Sequence, residues 1–254
     1  YGLPMAGWML MSGILVFGDR FVLKLLLGDG AVGIYSASYS LLNNSIFLIT
    51  TPVNMVFHPA LMNLSEKIEN DEYGKVLLKI LFLLIVFGSL FAFTVSLFSG
   101  ELVLILGEGF RTGKTIFPVV ILGLVYSVMG LYAHKPQEQS RKTWILLLLS
   151  LSAAVINIAL NFILIRRFGI VGAGTATFVS YVYYFIICMI INWKYLHLNL
   201  MIFFTFMVVL PAIVFLAYFV QSLLGATTII HVAIKIVMLL AISIVFLGLL
   251  NRNK

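Results

Sequence analysis

The residues best suited to chemistry in this sequence are three charges inside an apolar stretch, ILVFGDRFVLKLLLG, residues 14–28. Arg20 and Lys24 are four residues apart and share a helical face, whereas Asp19 points about 100° away from them. Two cations on one shielded face would bind phosphate, Arg20 through its bidentate fork and Lys24 as a point charge. Asp19 could orient Arg20, pair with another helix, or bind a coupling cation or a proton, and the residue types do not choose among these roles.

The elements that must position these side chains are membrane-spanning helices. Of the 254 residues, 62% are hydrophobic and 10% are charged, whereas soluble domains are about 25% charged. A spanning helix needs about 20 apolar residues, and eight segments meet this length: 4–27, 31–61, 75–98, 113–133, 143–165, 171–195, 201–222 and 227–250. We therefore expect an all-α, polytopic transmembrane bundle of about eight spans, in which interfacial anchoring is the alternative role for Lys24 and Arg20.

The distribution of charge indicates a lipid environment and an orientation. The net charge of +7 does not indicate nucleic acid, because the basic residues are scattered singly between apolar runs. Outside the predicted spans, eight Lys and Arg residues lie on the side of both termini and the 65–75 loop and four lie on the other side. The first side is therefore expected to be cytoplasmic. The single cysteine, Cys188, excludes a disulfide framework within the chain and is expected in the core.

One face of the second predicted span is polar along most of its length. At 100° per residue, six polar side chains fall within an arc of roughly 80°: Ser36, Ser40, Asn43, Thr50, Asn54 and His58. Lipid tolerates such a stripe poorly, so it must face other helices or a water-filled cavity. Hydrogen bonds between helices are one interpretation, but a stripe of this length fits a wet pathway better.

Other polar and small residues inside the spans indicate packing and movement. Asn157 and Asn161 share one face of the fifth span, and small residues at 172–176 predict close packing of the sixth. Three prolines inside spans predict kinks: Pro52, Pro118 and Pro211. The four histidines are isolated and are interpreted as polar or interfacial residues, without metal-ligand spacing: His58, His134, His197 and His231. No Walker A, nucleophile-elbow or dinucleotide motif is present in the sequence.

Three stretches together carry a resemblance to a known family. They are GDRFVLKLLLGDGAVGIYSASYSL at 18–41, FHPALMNLSE at 57–66 and NIALNFILIRRFGIVGAGTATFVSY at 157–181. In this order they resemble the Wzx-type O-antigen and polysaccharide flippases of the multidrug/oligosaccharidyl-lipid/polysaccharide exporter superfamily. The similarity covers about residues 5–195. It matches the Asp19–Arg20 pair, the turn at Gly33–Tyr35 and a frame of small and polar residues: Asn157, Asn161, Gly169, Gly172 and Ala176.

The resemblance implies a fold of two six-helix lobes around a central cavity, with two extra helices at the C-terminus in some members. It assigns residues 1–195 to the C-terminal lobe and 196–254 to the extra pair. Because the chain begins YGLPMAGWML, without an initiator methionine, we expect it to be a fragment that lacks the N-terminal lobe. The implied location is the bacterial inner membrane, with both termini cytoplasmic.

The resemblance also implies a function. The substrate would be an undecaprenyl-diphosphate-linked oligosaccharide, moved to the outer leaflet by alternating access. No catalytic residue, metal or cofactor is expected, although coupling to H⁺ or Na⁺ is possible. The implied partners are the lipid-linked oligosaccharide, membrane lipids, and a polysaccharide polymerase with its chain-length machinery.

The resulting hypothesis gives each polar residue a role. Arg20 and Lys24 would bind the diphosphate, and six residues would line the cavity: Asp19, Ser36, Asn43, Asn54, Asn157 and Asn161. A drug or metabolite exporter of the same superfamily is one alternative, although acidic cavity residues, which cationic drugs require, are scarce. An integral-membrane enzyme of polysaccharide biosynthesis and a scaffold protein are the others.

Overall fold

The fold was analysed in a computed structural model, which describes residues 2–224 and Lys235. These residues form helices and no strand, so the all-α prediction is confirmed for them. Within this described part, five helical segments are long and apolar enough to cross a membrane: Asp29–Ser65, Asn70–Leu97, Glu108–Gln139, Thr143–Ile191 and Leu200–Leu223. The described chain is therefore that of a multi-pass membrane protein.

The first two helices meet at a single glycine. Helix α1 (Gly2–Leu27) carries Asp19 and Arg20, and α2 (Asp29–Ser65) carries the polar face. Gly28 separates them with φ of 82°, a conformation that costs residues with a Cβ atom more than it costs glycine. Helix α1 is not one of the five candidate spans, and three of its last nine residues are charged.

The segment α7 (Thr143–Ile191) confirms the predicted division between the fifth and sixth spans. The predicted spans 143–165 and 171–195 correspond to two helices, which meet in a kink at Gly169 with non-helical φ 59° and ψ −138°. The five candidates count the two helices of Thr143–Ile191 once and do not include α1, and the predicted span 227–250 lies outside the described residues. The count of about eight spans therefore stays a prediction.

The remaining described helices complete the bundle. They are α3 (Asn70–Leu97), α4 (Ser99–Leu102), α5 (Phe117–Ala133), α6 (Lys135–Gln139) and α8 (Leu200–Leu224), with 3₁₀ turns at Val103–Leu106 and Glu108–Ile116. Pro52 and Pro211 lie inside α2 and α8 as predicted, and so does Pro59 in α2. The prediction for Pro118 is wrong, because it lies in the first turn of α5, where proline costs no hydrogen bond.

Helix α5 forms the centre of the described bundle. In its most apolar window, 78% of the residues are buried, against 11% in α2, which lies at one side. Small residues allow close packing around α5, as predicted: a Cβ atom on Gly174 of α7 would lie 3.2 Å from Val120. Cys188 is buried in this core, which confirms its predicted place. Helix α8 joins the core through Phe206, whose carbonyl accepts a hydrogen bond from the Tyr126 hydroxyl at 2.9 Å.

Candidate functional site

Two cavities lie along α2. The narrow one, about 380 Å³, lies between α1 and the first half of α2. The wide one, about 1050 Å³, lies between the second half of α2, α3 and α5. Because Val16 and Asn43 line both, the two cavities adjoin each other and are called here the α2 groove.

The polar face of α2 lines this groove. All six predicted residues contribute: Ser36, Ser40 and Asn43 to the narrow cavity, and Asn43, Thr50, Asn54 and His58 to the wide one. Within the described part of the chain, the Thr50 hydroxyl bonds back to its own helix at Ile46, and His58 alone of the six bonds to another helix. This arrangement favours the wet-pathway interpretation of the stripe over hydrogen bonding between helices.

The wall opposite α2 in the wide cavity is mainly apolar. Leucine, isoleucine and phenylalanine side chains of α3 face the cavity together with apolar side chains of α5: Ile80, Leu83, Leu84, Phe87, Phe91, Leu124, Val125, Val128, Met129 and Leu131. The narrow cavity is therefore rich in polar side chains, whereas the wide cavity is mainly apolar and has its polar groups chiefly on the α2 side.

Arg20 supplies the cation of the narrow cavity. Its guanidinium carbon lies 4.8 Å from the ring centroid of Phe17 and 5.6 Å from that of Tyr39. The guanidinium group therefore forms cation–π contacts with both rings. Its Nε is buried without a hydrogen-bond partner, and no described acidic residue forms a salt bridge with it. The remaining donors of this planar group are free to bind an anion in the cavity.

Lys24 lies apart from Arg20 in this structure. Its ammonium group pairs with Asp29 at 3.1 Å, both side chains are exposed, and Lys24 lines neither cavity. The i,i+4 spacing places both residues on one helical side, but the chain turns at Gly28 and brings Asp29 beside Lys24. The two predicted diphosphate ligands are therefore not brought together.

Asp19 faces the protein interior and not the groove. One oxygen, Oδ2, accepts hydrogen bonds from the Tyr35 hydroxyl of α2 and from Thr177 Oγ1 of α7, the latter at 3.4 Å. The other oxygen, Oδ1, is buried without a partner. Of its predicted roles, pairing with other helices is the one observed, since Asp19 ties α1 to both α2 and α7.

Asn157 and Asn161 are also buried away from the groove. Asn161 Nδ2 donates to Asn157 Oδ1 at 3.0 Å, as their predicted shared face allows. Asn157 Nδ2 and Asn161 Oδ1 remain buried without a partner. Neither residue lines either of the two cavities described above, to which α7 contributes Tyr181 instead.

A charged cluster that sequence reasoning missed lies at the far end of the wide cavity. Lys135 Nζ lies 2.6 Å from His58 Nδ1 and 2.6 Å from Glu138 Oε2. His134 is close by, with Nε2 4.0 Å from Glu138 Oε2. These four residues, the His58 cluster, overturn the interpretation of His58 and His134 as isolated. The available signal was HKPQE at 134–138, three ionisable residues directly after an apolar run.

The two remaining histidines do not belong to the His58 cluster. His197 lies at the surface and pairs with Asp71 at 2.8 Å, while His231 lies outside the described residues. The described residues contain no group of three or more His, Cys, Asp or Glu that could hold a metal ion.

Comparison with known proteins adds no relative. No protein-family model, curated protein or solved structure matches this chain. The fold and site define its class as a helical multi-pass membrane protein with an amphipathic groove along α2.

Proposed function

We propose that this protein is part of a flippase that moves an undecaprenyl-diphosphate-linked oligosaccharide from the inner to the outer leaflet of a bacterial inner membrane. The observation that carries the proposal is the α2 groove, which combines a row of polar α2 side chains with one unpaired arginine. Transport would proceed by alternating access around this groove. The protein would act as a transporter without catalytic residues.

The chemistry of such a substrate matches the groove part by part. A diphosphate and a hydrated glycan cannot cross hydrocarbon unaided, so the carrier must offer a cation for the first and hydrogen-bonding groups for the second. Arg20 would bind the diphosphate, and Ser36, Asn43 and Asn54 would bind sugar hydroxyls. The apolar wall of α3 and α5 would face the polyprenyl chain where it leaves the head group.

Lys24 and Asp19 would have roles outside the diphosphate site. Lys24 is exposed and paired with Asp29, so it would act as a point charge at the entrance and not inside the cavity. Asp19 would be the site for a coupling H⁺ or Na⁺, since its unpartnered Oδ1 is a buried anionic oxygen. The further partners proposed are membrane lipids and a polysaccharide polymerase with its chain-length machinery.

The test of the proposal is translocation of a fluorescent diphosphate-linked oligosaccharide lipid by the whole protein in proteoliposomes. Hydrogen bonds to charged groups contribute about 1.5–3 kcal/mol, so Arg20→Ala should lower the apparent affinity about 10- to 100-fold. Arg20→Lys should retain part of it, because the charge remains but the bidentate fork does not.

The matched control is Lys24→Ala, which removes a cation from the same helix but outside the groove. It should change transport less than Arg20→Ala at equal protein level. Equal transport by wild type and Arg20→Ala would remove the anionic site from the proposal.

A drug or metabolite exporter is the second candidate, and the apolar wall of the wide cavity favours it for amphipathic molecules. Because Arg20 lies in the adjoining cavity, an anionic molecule would bind there better than a cationic one. Efflux of an anionic dye that Arg20→Ala lowers, without movement of the lipid-linked substrate by the wild type, would decide for the exporter.

A further inference from the structure

The His58 cluster connects the wide cavity to the charged interior at the end of α5 and α6. His58 lines the cavity and its side chain is 38% exposed, whereas the side chains of Lys135 and Glu138 are only 7% and 8% exposed. The buried pair belongs to α6 and the exposed histidine to α2. The cluster therefore attaches the last part of α2 to α6, together with a hydrogen bond of 3.4 Å from Gln139 Nε2 to the Ser65 carbonyl and the buried side chain of Leu61.

The hydrogen bonds within the cluster specify the protonation state of His58. An ammonium group only donates hydrogen bonds, so His58 Nδ1 must accept from Lys135 with its lone pair, and the imidazole is neutral in this arrangement. The cluster then contains one cation, Lys135, and one anion, Glu138, which pair with each other. Buried charges are tolerated when they are balanced in this way.

Protonation of His58 would break this arrangement. The imidazolium has no lone pair for Lys135, and two cations would stand next to each other beside a single carboxylate. Glu138 Oε1 already lies 3.7 Å from His58 Nε2 and is the acceptor available to the new cation. Lys135 would lose its bond to α2, and the contact between α2 and α6 would have to rearrange.

The local structure of α2 permits such a movement. Pro52 and Pro59 lie on either side of His58, and each removes a backbone hydrogen bond from the helix. Most side chains between them are exposed, and only 11% of the most apolar window of α2 is buried. The His58 contact is thus a specific polar attachment on a segment whose side chains are mostly exposed and among which Leu61 is the buried one.

We propose that the His58 cluster is a proton-operated latch, which holds the end of α2 against α6 and releases it when His58 takes up a proton. The latch would open and close one end of the wide cavity. In this sense it deepens the transport function proposed above and rests on it only for its physiological meaning. It is separate from Asp19, which lies at the α1–α7 interface.

Other titratable groups face the cluster from the surrounding elements. His134, at the end of α5, has its Nδ1 2.9 Å from the hydroxyl of Tyr184 on α7, which also accepts from Trp8 of α1. Tyr73 of α3 and Cys188 of α7 lie close to Glu138 and Tyr184, respectively. None of these contacts joins α2, so His58 is the titratable group whose charge acts directly on the attachment.

The latch can be tested by measuring a distance across it. Asn63→Cys, in the exposed end of α2, and Lys142→Cys, after α6, would carry spin labels in a Cys188→Ser background, with the whole protein in liposomes. Pulsed electron spin resonance at pH 8 and pH 5 brackets the range in which histidines titrate. The population of the longer distance should rise on acidification by up to about tenfold per pH unit, the limit for one bound proton.

Two variants make the result specific. His58→Gln still accepts a hydrogen bond from Lys135 but cannot become charged, so it should show the short distance at both pH values. His197→Gln, the matched control at a surface histidine, should respond as the wild type does. An unchanged distance in the wild type, or a response that survives in His58→Gln, would overturn the latch. Because no substrate is needed, this result is independent of whether the protein moves lipid-linked sugars.

Discussion

Adjacent charges on α1 have opposite surroundings. Asp19 is buried and accepts hydrogen bonds from α2 and α7, while Arg20 lies in the narrow cavity against two aromatic rings. Successive side chains of a helix point about 100° apart. A shift of one position along α1 therefore moves a side chain from the protein interior to the groove. The order of these two residues, rather than their presence alone, therefore determines which charge a ligand can meet.

The hydrogen bond from Tyr35 to Asp19 gives a stability prediction at the same scale. Tyr35→Phe removes a donor to a buried carboxyl group, which should cost about 1–3 kcal/mol because that oxygen loses its main partner. The apparent unfolding midpoint in detergent would measure this loss. Tyr73→Phe is the matched control, since the Tyr73 hydroxyl is buried without a hydrogen-bond partner and its removal should cost little. Equal losses in both variants would contradict the importance of the Tyr35 bond.

At the residue scale, the sequence predicts which side chains share one face of a helix but not which residues those side chains contact. The periodicity of α2 identified six polar residues that line the groove, because a 3.6-residue period fixes relative direction, but it did not include Tyr39, Asn44 and Thr51, which line the groove as well. The same reasoning placed Asp19, Asn157 and Asn161 in the cavity, whereas they lie buried between helices. A period cannot say which neighbour a face meets, and that depends on contacts far along the chain, such as the one between Asp19 and Thr177.

At the scale of elements, α7 depends on one residue. Gly169 adopts φ 59° and ψ −138°, a conformation essentially restricted to glycine. Gly169→Ala should therefore destabilise the protein by about 1–3 kcal/mol, measured as a lower unfolding midpoint. The matched control is Gly13→Ala within α1, where a Cβ atom meets nothing within 4 Å and alanine is the better helix former. A Gly169→Ala variant as stable as the control would contradict a conformational requirement at the bend.

The division of α7 into two helices is predictable from the sequence. The run RRFG at 166–169 marks a joint by its charges and glycine, so two spans were predicted there. The structure has non-helical backbone at that glycine, which separates two helices there. The attachment of α2 to α6 could not be foreseen, since 77 residues separate His58 from Lys135 and each is unremarkable within its own segment.

At the scale of the whole molecule, the charge distribution predicts an orientation. Glu69 precedes α3 and Gly109 follows it, so the two exposed positions lie at opposite ends of one candidate span. With both termini and the 65–75 loop cytoplasmic, a membrane-impermeant maleimide on intact bacteria should label Gly109→Cys in a Cys188→Ser background. Glu69→Cys should react only after the cells are permeabilised. The reverse pattern would invert the topology and with it the assigned direction of transport.

The length of the polar face has a kinetic consequence. From Ser36 to His58 the stripe rises about 33 Å at 1.5 Å per residue, close to the thickness of the hydrocarbon core, about 30 Å. Hydroxyl and amide groups along the polar face offer many weak binding sites. Movement along such a row is fast when the substrate dissociates from each site as readily as it binds there. Among the described residues that line the groove, Arg20 carries a charge without a salt-bridge partner and is the strong anion-binding site. If a diphosphate moves along this path, its dissociation from Arg20 is the slow step of each cycle. The turnover rate is then set by dissociation of the substrate and not by its binding.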